Sequence, residues 1–294
     1  MQGRIVIAGA GGQVGSFLAA EAARQGREVL ALTSAQWDIT DRAAAERIVA
    51  PGDVVVNCAA YTNVDGAESE EATAYAVNTA GPGYIAEACS RVDARLIHIS
   101  TDYVFSGDFG GSEPRPYEAG DETDPISVYG RTKLAGEQAV LATLSQATVV
   151  RTAWVYTGGE GNKDFVAVMR RLAAGDSIVE VVDDQTGSPT YVPDLVAALL
   201  EVVDGRVRAP VVHAANEGAV NRFEQARAVF AGVGADPERV RPVSSAHNPR
   251  PAPRPRYSAL SGRASQQAGL SPLRHWRDAL TQALSDRPLP STRE

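Results

Sequence analysis

The chain has 294 residues, 44% hydrophobic and 22% charged, enough for a sizeable core and about two domains at ~150 residues each. This balance excludes disorder, collagen and a disulfide scaffold; no apolar run approaches the ~20 residues of a membrane span, and the start shows no signal-peptide core. A net charge of -8 without a basic block argues against nucleic acid, and Cys58 and Cys89, in apolar settings without ligand spacing, read as buried thiols of a cytoplasmic protein.

Short apolar runs at 4–8, 28–32, 53–58, 95–100, 147–152 and 178–182 alternate with helical patterns at 13–25, 41–49, 70–89, 129–144 and 164–174. Most runs are rich in Val and Ile and apolar on both faces, as strands buried in a parallel sheet are. The rhythm predicts an α/β fold, a doubly wound parallel sheet that binds ligands beyond the carboxyl ends of its strands. Residues 1–153, with a strand near 178–182 and parts of 192–214, are assigned to this domain. The remainder of 154–294 reads as a smaller C-terminal domain. It holds helical patterns near 192–203, 222–231 and 273–284 and a stiff proline–arginine segment at 248–256. The segment 107–124, with Gly, Pro and six acids, reads as a solvated surface loop rather than a flap over a pocket.

Gly9-Ala-Gly-Gly-Gln-Val-Gly15 follows the first strand and opens the first helix. Glycines at 9, 12 and 15 permit a sharp turn and let backbone N–H groups approach a pyrophosphate at the positive end of the helix. The strand before and helix after make this a dinucleotide site rather than a plain turn. The second strand ends at Leu32-Thr33-Ser34, with neither an acid to grip a ribose 2′-hydroxyl nor an Arg to grip a 2′-phosphate. Asp38 is placed to meet an adenine amino group, or else belongs to the lead-in of a helix capped at Thr40. Ala59 and Ala60 suit close passage of a cofactor, and core packing explains them equally well.

Tyr129-Gly-Arg-Thr-Lys133 puts a phenol and an ammonium one helical turn apart on one face. A nearby cation lowers a tyrosine pKa, which makes Tyr129 a candidate proton donor to a carbonyl receiving hydride. The chain has 26 Arg and only two Lys, Lys133 and Lys163, so chance predicts roughly 0.06 such pairs. Ser100-Thr-Asp-Tyr-Val-Phe105 follows the fourth strand, where a hydroxyl can bond both a substrate oxygen and Tyr129; turn capping is the other reading. Trp154 and Tyr156, after the fifth strand, suit stacking on a ring or burial in the core.

Further blocks narrow the reading. They are Val56-Asn-Cys-Ala-Ala-Tyr-Thr-Asn-Val-Asp65, His98-Ile-Ser-Thr-Asp-Tyr-Val-Phe-Ser-Gly107, Val128-Tyr-Gly-Arg-Thr-Lys-Leu-Ala-Gly-Glu137, Arg151-Thr-Ala-Trp-Val-Tyr156, Val182-Asp-Asp-Gln-Thr-Gly-Ser-Pro-Thr190 and Arg254-Pro-Arg-Tyr-Ser-Ala-Leu260. With the glycine turn they resemble the dTDP-4-dehydrorhamnose reductase family of extended short-chain dehydrogenases/reductases, and they span nearly the whole chain. The resemblance implies a Rossmann-like fold and NADPH- or NADH-dependent reduction of a dTDP-linked 4-keto sugar to dTDP-L-rhamnose. It implies Tyr129 as proton donor, Lys133 on the nicotinamide ribose, and Thr101 tuning Tyr129. Thr101, Asp102 and Trp154 would contact the substrate. On the cofactor side it matches Gly12, Gln13, Val14, Asp38, Ile39, Ala60, Tyr61 and Thr62.

Some members form a magnesium-bridged dimer through a glutamate shortly after the glycine turn. Phe17 stands at the matching position, so both that metal and that dimer are in question, and monomer and homodimer stay open. Two other functions stay open as well: a 4-ketoreductase or epimerase for another deoxysugar nucleotide, and a non-catalytic NADP-binding regulatory subunit.

Overall fold

A computed structural model of the chain describes residues 3–159 and 161–285. Its main sheet contains β1 (Ile5–Ala8), β2 (Val29–Leu32), β3 (Val54–Asn57), β4 (Arg95–Thr101), β5 (Thr148–Thr152) and the strand Val211–His213. All six are parallel, and the spatial order is Val211–His213, β5, β4, β3, β1, β2. The chain leaves β1 toward β2 and returns across it to β3. The β1–β3 crevice is therefore the topological switch point where such sheets bind ligands.

Helices cover both faces. On one, α1 (Gln13–Arg24) and the helix Val192–Val203 pack over Ile5, Ile7, Val54, Val56 and Ile97. On the other, α2 (Arg42–Ile48) and the helix Gly81–Val92 join Trp37, Ile39 and Val140 over Val6, Ala8 and Val55. Burial on both sides is why these strands read as unbroken apolar runs. A separate core around Tyr156, Val166, Met169, Tyr191, Phe230, Trp276 and Leu280 holds the C-terminal region together.

Three details differ from expectation. The run near 178–182 lies outside the main sheet: Val179–Val182 pairs in parallel with Val240–Val243 in a two-stranded sheet. Ile178 and Glu180 are exposed, which a strand covered on both faces cannot tolerate, and Val211–His213 takes the sixth place. The segment 107–124 is not simply a solvated loop. Tyr117 is buried, its N–H donates to Ala259 O at 2.8 Å, and its ring stacks on Phe105 at 4.1 Å. Finally, α2 is capped by Asp41, whose side chain accepts the Ala43 N–H, rather than by Thr40.

Candidate active site

The glycine turn is shaped by lack of room. Gly9 has φ +78°, and a Cβ there would lie 2.6 Å from Ala59 N, across the β1–β3 crevice. A Cβ on Gly15 would lie 2.4 Å from Gly9 O. Both approaches need glycine. Gly12 is the N-cap of α1 and no side chain caps that first turn, so its amides stay open to an anion. Gln13 reaches away, its amide donating to Asp164 Oδ2 at 3.0 Å. Val14 packs against the core.

Around the crevice, Asp38 is exposed, and its carboxylate accepts the Thr40 N–H and hydroxyl, which hold it below the usual carboxylate range. Ile39 is buried against Gly81. Ala60 is half-buried and Thr62 exposed. Tyr61 is fixed through its backbone: its N–H donates to Asn78 Oδ1 at 2.8 Å, and its carbonyl accepts Asn78 Nδ2 at 3.1 Å.

Asn78 escaped the sequence reading. It sits fully buried in a π-helical turn, Ala76–Ala80, between the helices Glu71–Tyr75 and Gly81–Val92. Its amide also donates to Thr132 Oγ1 at 3.0 Å, joining the 59–62 loop to the helix that carries Tyr129. A Cβ on Gly136 would lie 2.1 Å from Asn78 O, so the glycine lets this turn approach that helix. Such π-turns break the 3.6-residue period, and the sequence showed only a helical pattern over 70–89.

The Tyr129 helix spans Val128–Thr143 and starts at Ser127, whose side chain accepts the Gly130 N–H at 3.1 Å. A Cβ on Gly130 would lie 2.3 Å from Tyr103 O. Glycine thus seats the helix directly on the turn Asp102–Val104 that follows β4. Tyr129 meets the Tyr103 ring edge-on at 5.6 Å and faces the Thr101 hydroxyl. One turn on, Lys133 is 2% exposed and donates to Ile99 O at 2.7 Å.

Burial dominates the electrostatics. It pushes the Tyr129 phenol above its ordinary value, and the Thr101 hydroxyl opposes that shift. It pulls Lys133 down to about 8, against the pull of Glu137. Asp102, also buried, is pushed up to about 6, although Ser258 and Thr101 donate to it.

Trp154 follows β5 with φ +46°, a strained setting for a bulky residue. Its indole packs where a Cβ on Gly187 would sit, 2.5 Å from Cε2. The Arg222 guanidinium stacks over the indole at 3.5 Å and over Phe165 at 4.8 Å. Among the described residues no salt bridge involves Arg222; its side chain donates to Gln225 Oε1 at 3.2 Å. Burial lowers it to about 10, and Tyr103 and Asp102 pull the other way. Arg222 was absent from the sequence reading because an isolated Arg among 26 carries no signal. Tyr156, the other aromatic offered for stacking, lies in the C-terminal core. Phe17 packs against the core beside Val196 and Leu200.

Comparison with known proteins places this arrangement. The family described as RmlD substrate binding domain matches residues 3–288. A dTDP-4-dehydrorhamnose reductase of Mycobacterium tuberculosis (strain H37Rv) is 70% identical, covering 99% of this chain and 98% of the relative. A Streptomyces antibioticus protein, a probable dTDP-4,6-dihydroxy-2-methyloxan-3-one 4-ketoreductase, is 43% identical over 96% of this chain and 95% of its own. The solved dTDP-4-dehydrorhamnose reductase of Bacillus anthracis, in complex with NADP, has a TM-score of 0.88 at 34% identity. That match covers 96% of this chain and 98% of that one. The chain belongs to the dTDP-4-dehydrorhamnose reductase family, within the extended short-chain dehydrogenases/reductases.

Proposed function

We propose that this protein reduces the 4-keto group of dTDP-4-dehydro-6-deoxy-L-mannose to give dTDP-L-rhamnose, using NADPH or NADH. The observation that carries the reading is the grouping of Tyr129, Thr101 and Lys133 at the carboxyl end of β4. The glycine turn lies at the same end of the sheet, one strand beyond β3.

The residues present fit a dinucleotide. The uncapped start of α1 offers amides to a pyrophosphate, and Gly9 and Gly15 keep the approach clear. No acid at the end of β2 repels a 2′-phosphate; Thr33 donates to Gln36 instead. When bound, the reduced nicotinamide supplies hydride to the sugar C4. Tyr129 holds the proton that neutralises the developing alkoxide, and its raised pKa keeps that proton in place until the oxygen becomes basic. Lys133 donates to the ribose, and Thr101 steadies the phenolate. Trp154, held by Gly187 and covered by Arg222, lines the sugar site. Arg222, without a carboxylate within salt-bridge distance, offers its charge to an anionic group of such a substrate. Phe17 offers no oxygen, so the protein works without the bridging magnesium, as a monomer or a metal-free homodimer.

The 43% identity to the Streptomyces antibioticus ketoreductase supports one second reading, reduction of another deoxysugar nucleotide at the same C4. Nicotinamide absorbance after mixing protein with the dTDP-4-dehydro sugar, run with NADPH and NADH in parallel, separates the two. Oxidation with dTDP-L-rhamnose as product is expected. Cofactor binding without oxidation would transfer the reading to another sugar.

A further inference from the structure

The helix Val128–Thr143 carries Tyr129 as its second residue, so the phenol is aimed by the first turn. The N–H groups of a first turn have no partners inside the helix, and a turn left unheld frays. Two side chains hold this one. Ser127 accepts the Gly130 N–H at 3.1 Å, a local cap. The Val128 N–H donates instead to Glu68 Oε1 at 2.9 Å, from 60 positions earlier in the chain. A carboxylate suits this place, because it accepts the hydrogen bond and meets the positive end of the helix.

Glu68 is itself held. It follows the short helix Val64–Ala67, whose start is fixed by Asn63, the side chain accepting the Gly66 N–H at 3.0 Å. On that short helix Asp65 accepts both arms of the Arg254 guanidinium, at 2.5 and 3.0 Å, and the Ala252 N–H at 3.2 Å. The proline–arginine segment thereby pins the short helix in place. Val64 and Ala67 pack with Val128 and Tyr129 in one small buried cluster, together with Tyr61 and Tyr103. Glu68 thus approaches the Tyr129 turn from an element anchored on both sides.

We propose that Glu68 is a positioning residue for the reduction: by accepting the Val128 N–H it fixes the first turn of the helix, and with it the place of the Tyr129 hydroxyl. The inference rests on Tyr129 as the proton donor. Glu68 neither gives nor takes a proton in the step; the proton passes from Tyr129 to the sugar alkoxide. The phenol oxygen stands at the far end of its side chain, so a small rotation of the turn moves it further than the backbone. Proton transfer needs hydrogen-bond reach, and a misplacement of about 1 Å costs up to about 10²-fold in rate. The carbonyl side of Tyr129 is secured separately, since its oxygen accepts Thr132 Oγ1 at 2.9 Å, and Thr132 in turn meets Asn78. Only the amino side of the turn depends on Glu68.

The test is kcat and KM for NADPH and for the dTDP-4-dehydro sugar, at a temperature where circular dichroism shows each variant folded. The variants are Glu68→Ala, Glu68→Gln and Glu68→Asp, with Glu68→Ala also made in a Tyr129→Phe background. Glu68→Ala should lower kcat by about 10–100-fold and leave both KM values near the wild type. Glu68→Gln keeps an oxygen at the same reach and recovers most of the loss. Glu68→Asp keeps the charge but is one methylene short of Val128, and should fall as Glu68→Ala does. In the Tyr129→Phe background there is no phenolic proton to place, so adding Glu68→Ala should leave the residual single-turnover rate unchanged. Equal losses in the two backgrounds assign Glu68 a structural role and overturn the proposal, as does a Glu68→Gln enzyme as slow as Glu68→Ala. If Glu68→Ala does not fold, a Glu68→Asp enzyme at the wild-type rate overturns it equally. A Tyr129→Phe enzyme at the wild-type rate overturns the site reading beneath it. A slow Tyr129→Phe beside a Glu68→Ala of unchanged kcat overturns the Glu68 role alone.

Discussion

At the glycine turn the protein builds with backbone and open space; at Tyr129 it builds with buried side chains. Gly11 and Gly12 are exposed, Gly9 and Gly15 leave no room for a Cβ, and no side chain caps α1. One strand beyond β3, Lys133, Asp102, Thr101 and Tyr129 are buried, with Thr101 donating to the Asp102 carboxylate and Lys133 to the Ile99 carbonyl. A dinucleotide's pyrophosphate is a permanent charge, and fixed amides suit it without any titration. A carbonyl becomes charged only during reaction, so its partner must be a group whose proton moves, tuned by burial.

That contrast predicts different failures. The largest is at Tyr129. Tyr129→Phe should lower turnover by about 10²–10⁴-fold while NADPH affinity, followed by cofactor fluorescence, stays near the wild-type value. Equal losses in turnover and affinity would merge the two regions into one. A smaller effect of opposite kind is expected at the turn. In Gly15→Ala the new Cβ meets Gly9 O and the turn must open. Cofactor affinity should fall about tenfold, with turnover at saturating cofactor little changed. Unchanged affinity would mean that the shape of the turn does not carry the binding.

The smallest effect tests burial as the tuning device on the side-chain-built side. His213 lies beside Phe105, and burial, reinforced by Arg151, pulls it down from 6.5 to about 3. The unfolded chain takes up this proton between about 3 and 6.5 and the folded protein does not. Its contribution is therefore whole above 6.5 and is lost as the pH falls toward 3. Denaturant midpoints measured across that window should fall with pH, and His213→Gln should show a shallower fall. Parallel slopes would mean that His213 titrates as it does in water.

Legibility follows the same division. The glycine turn was readable because a sharp turn, a strand before and a helix after are local demands on neighbouring residues. Tyr129 and Lys133 were readable because one helical turn joins them. Trp154 left two readings open, and the structure gives reasons outside its neighbourhood: Gly187 clears space and Arg222 covers its face. Arg222 and Asn78 were not singled out, and Ser258 entered only within the block 254–260, since each meets partners from a different part of the chain.

The sequence by itself determined the alternation of buried strands with helices, the phosphate-type turn and the tyrosine–lysine pair, all set by spacings of a few residues. The tertiary structure alone decided that Val211–His213 rather than Val179–Val182 completes the main sheet. It alone set the Lys133 ammonium at about 8, and it brought Ser258 to Asp102 across 156 positions of chain. Strand order, burial and long-range hydrogen bonds depend on which surfaces exclude water together, and that is settled only when the whole chain has closed on itself.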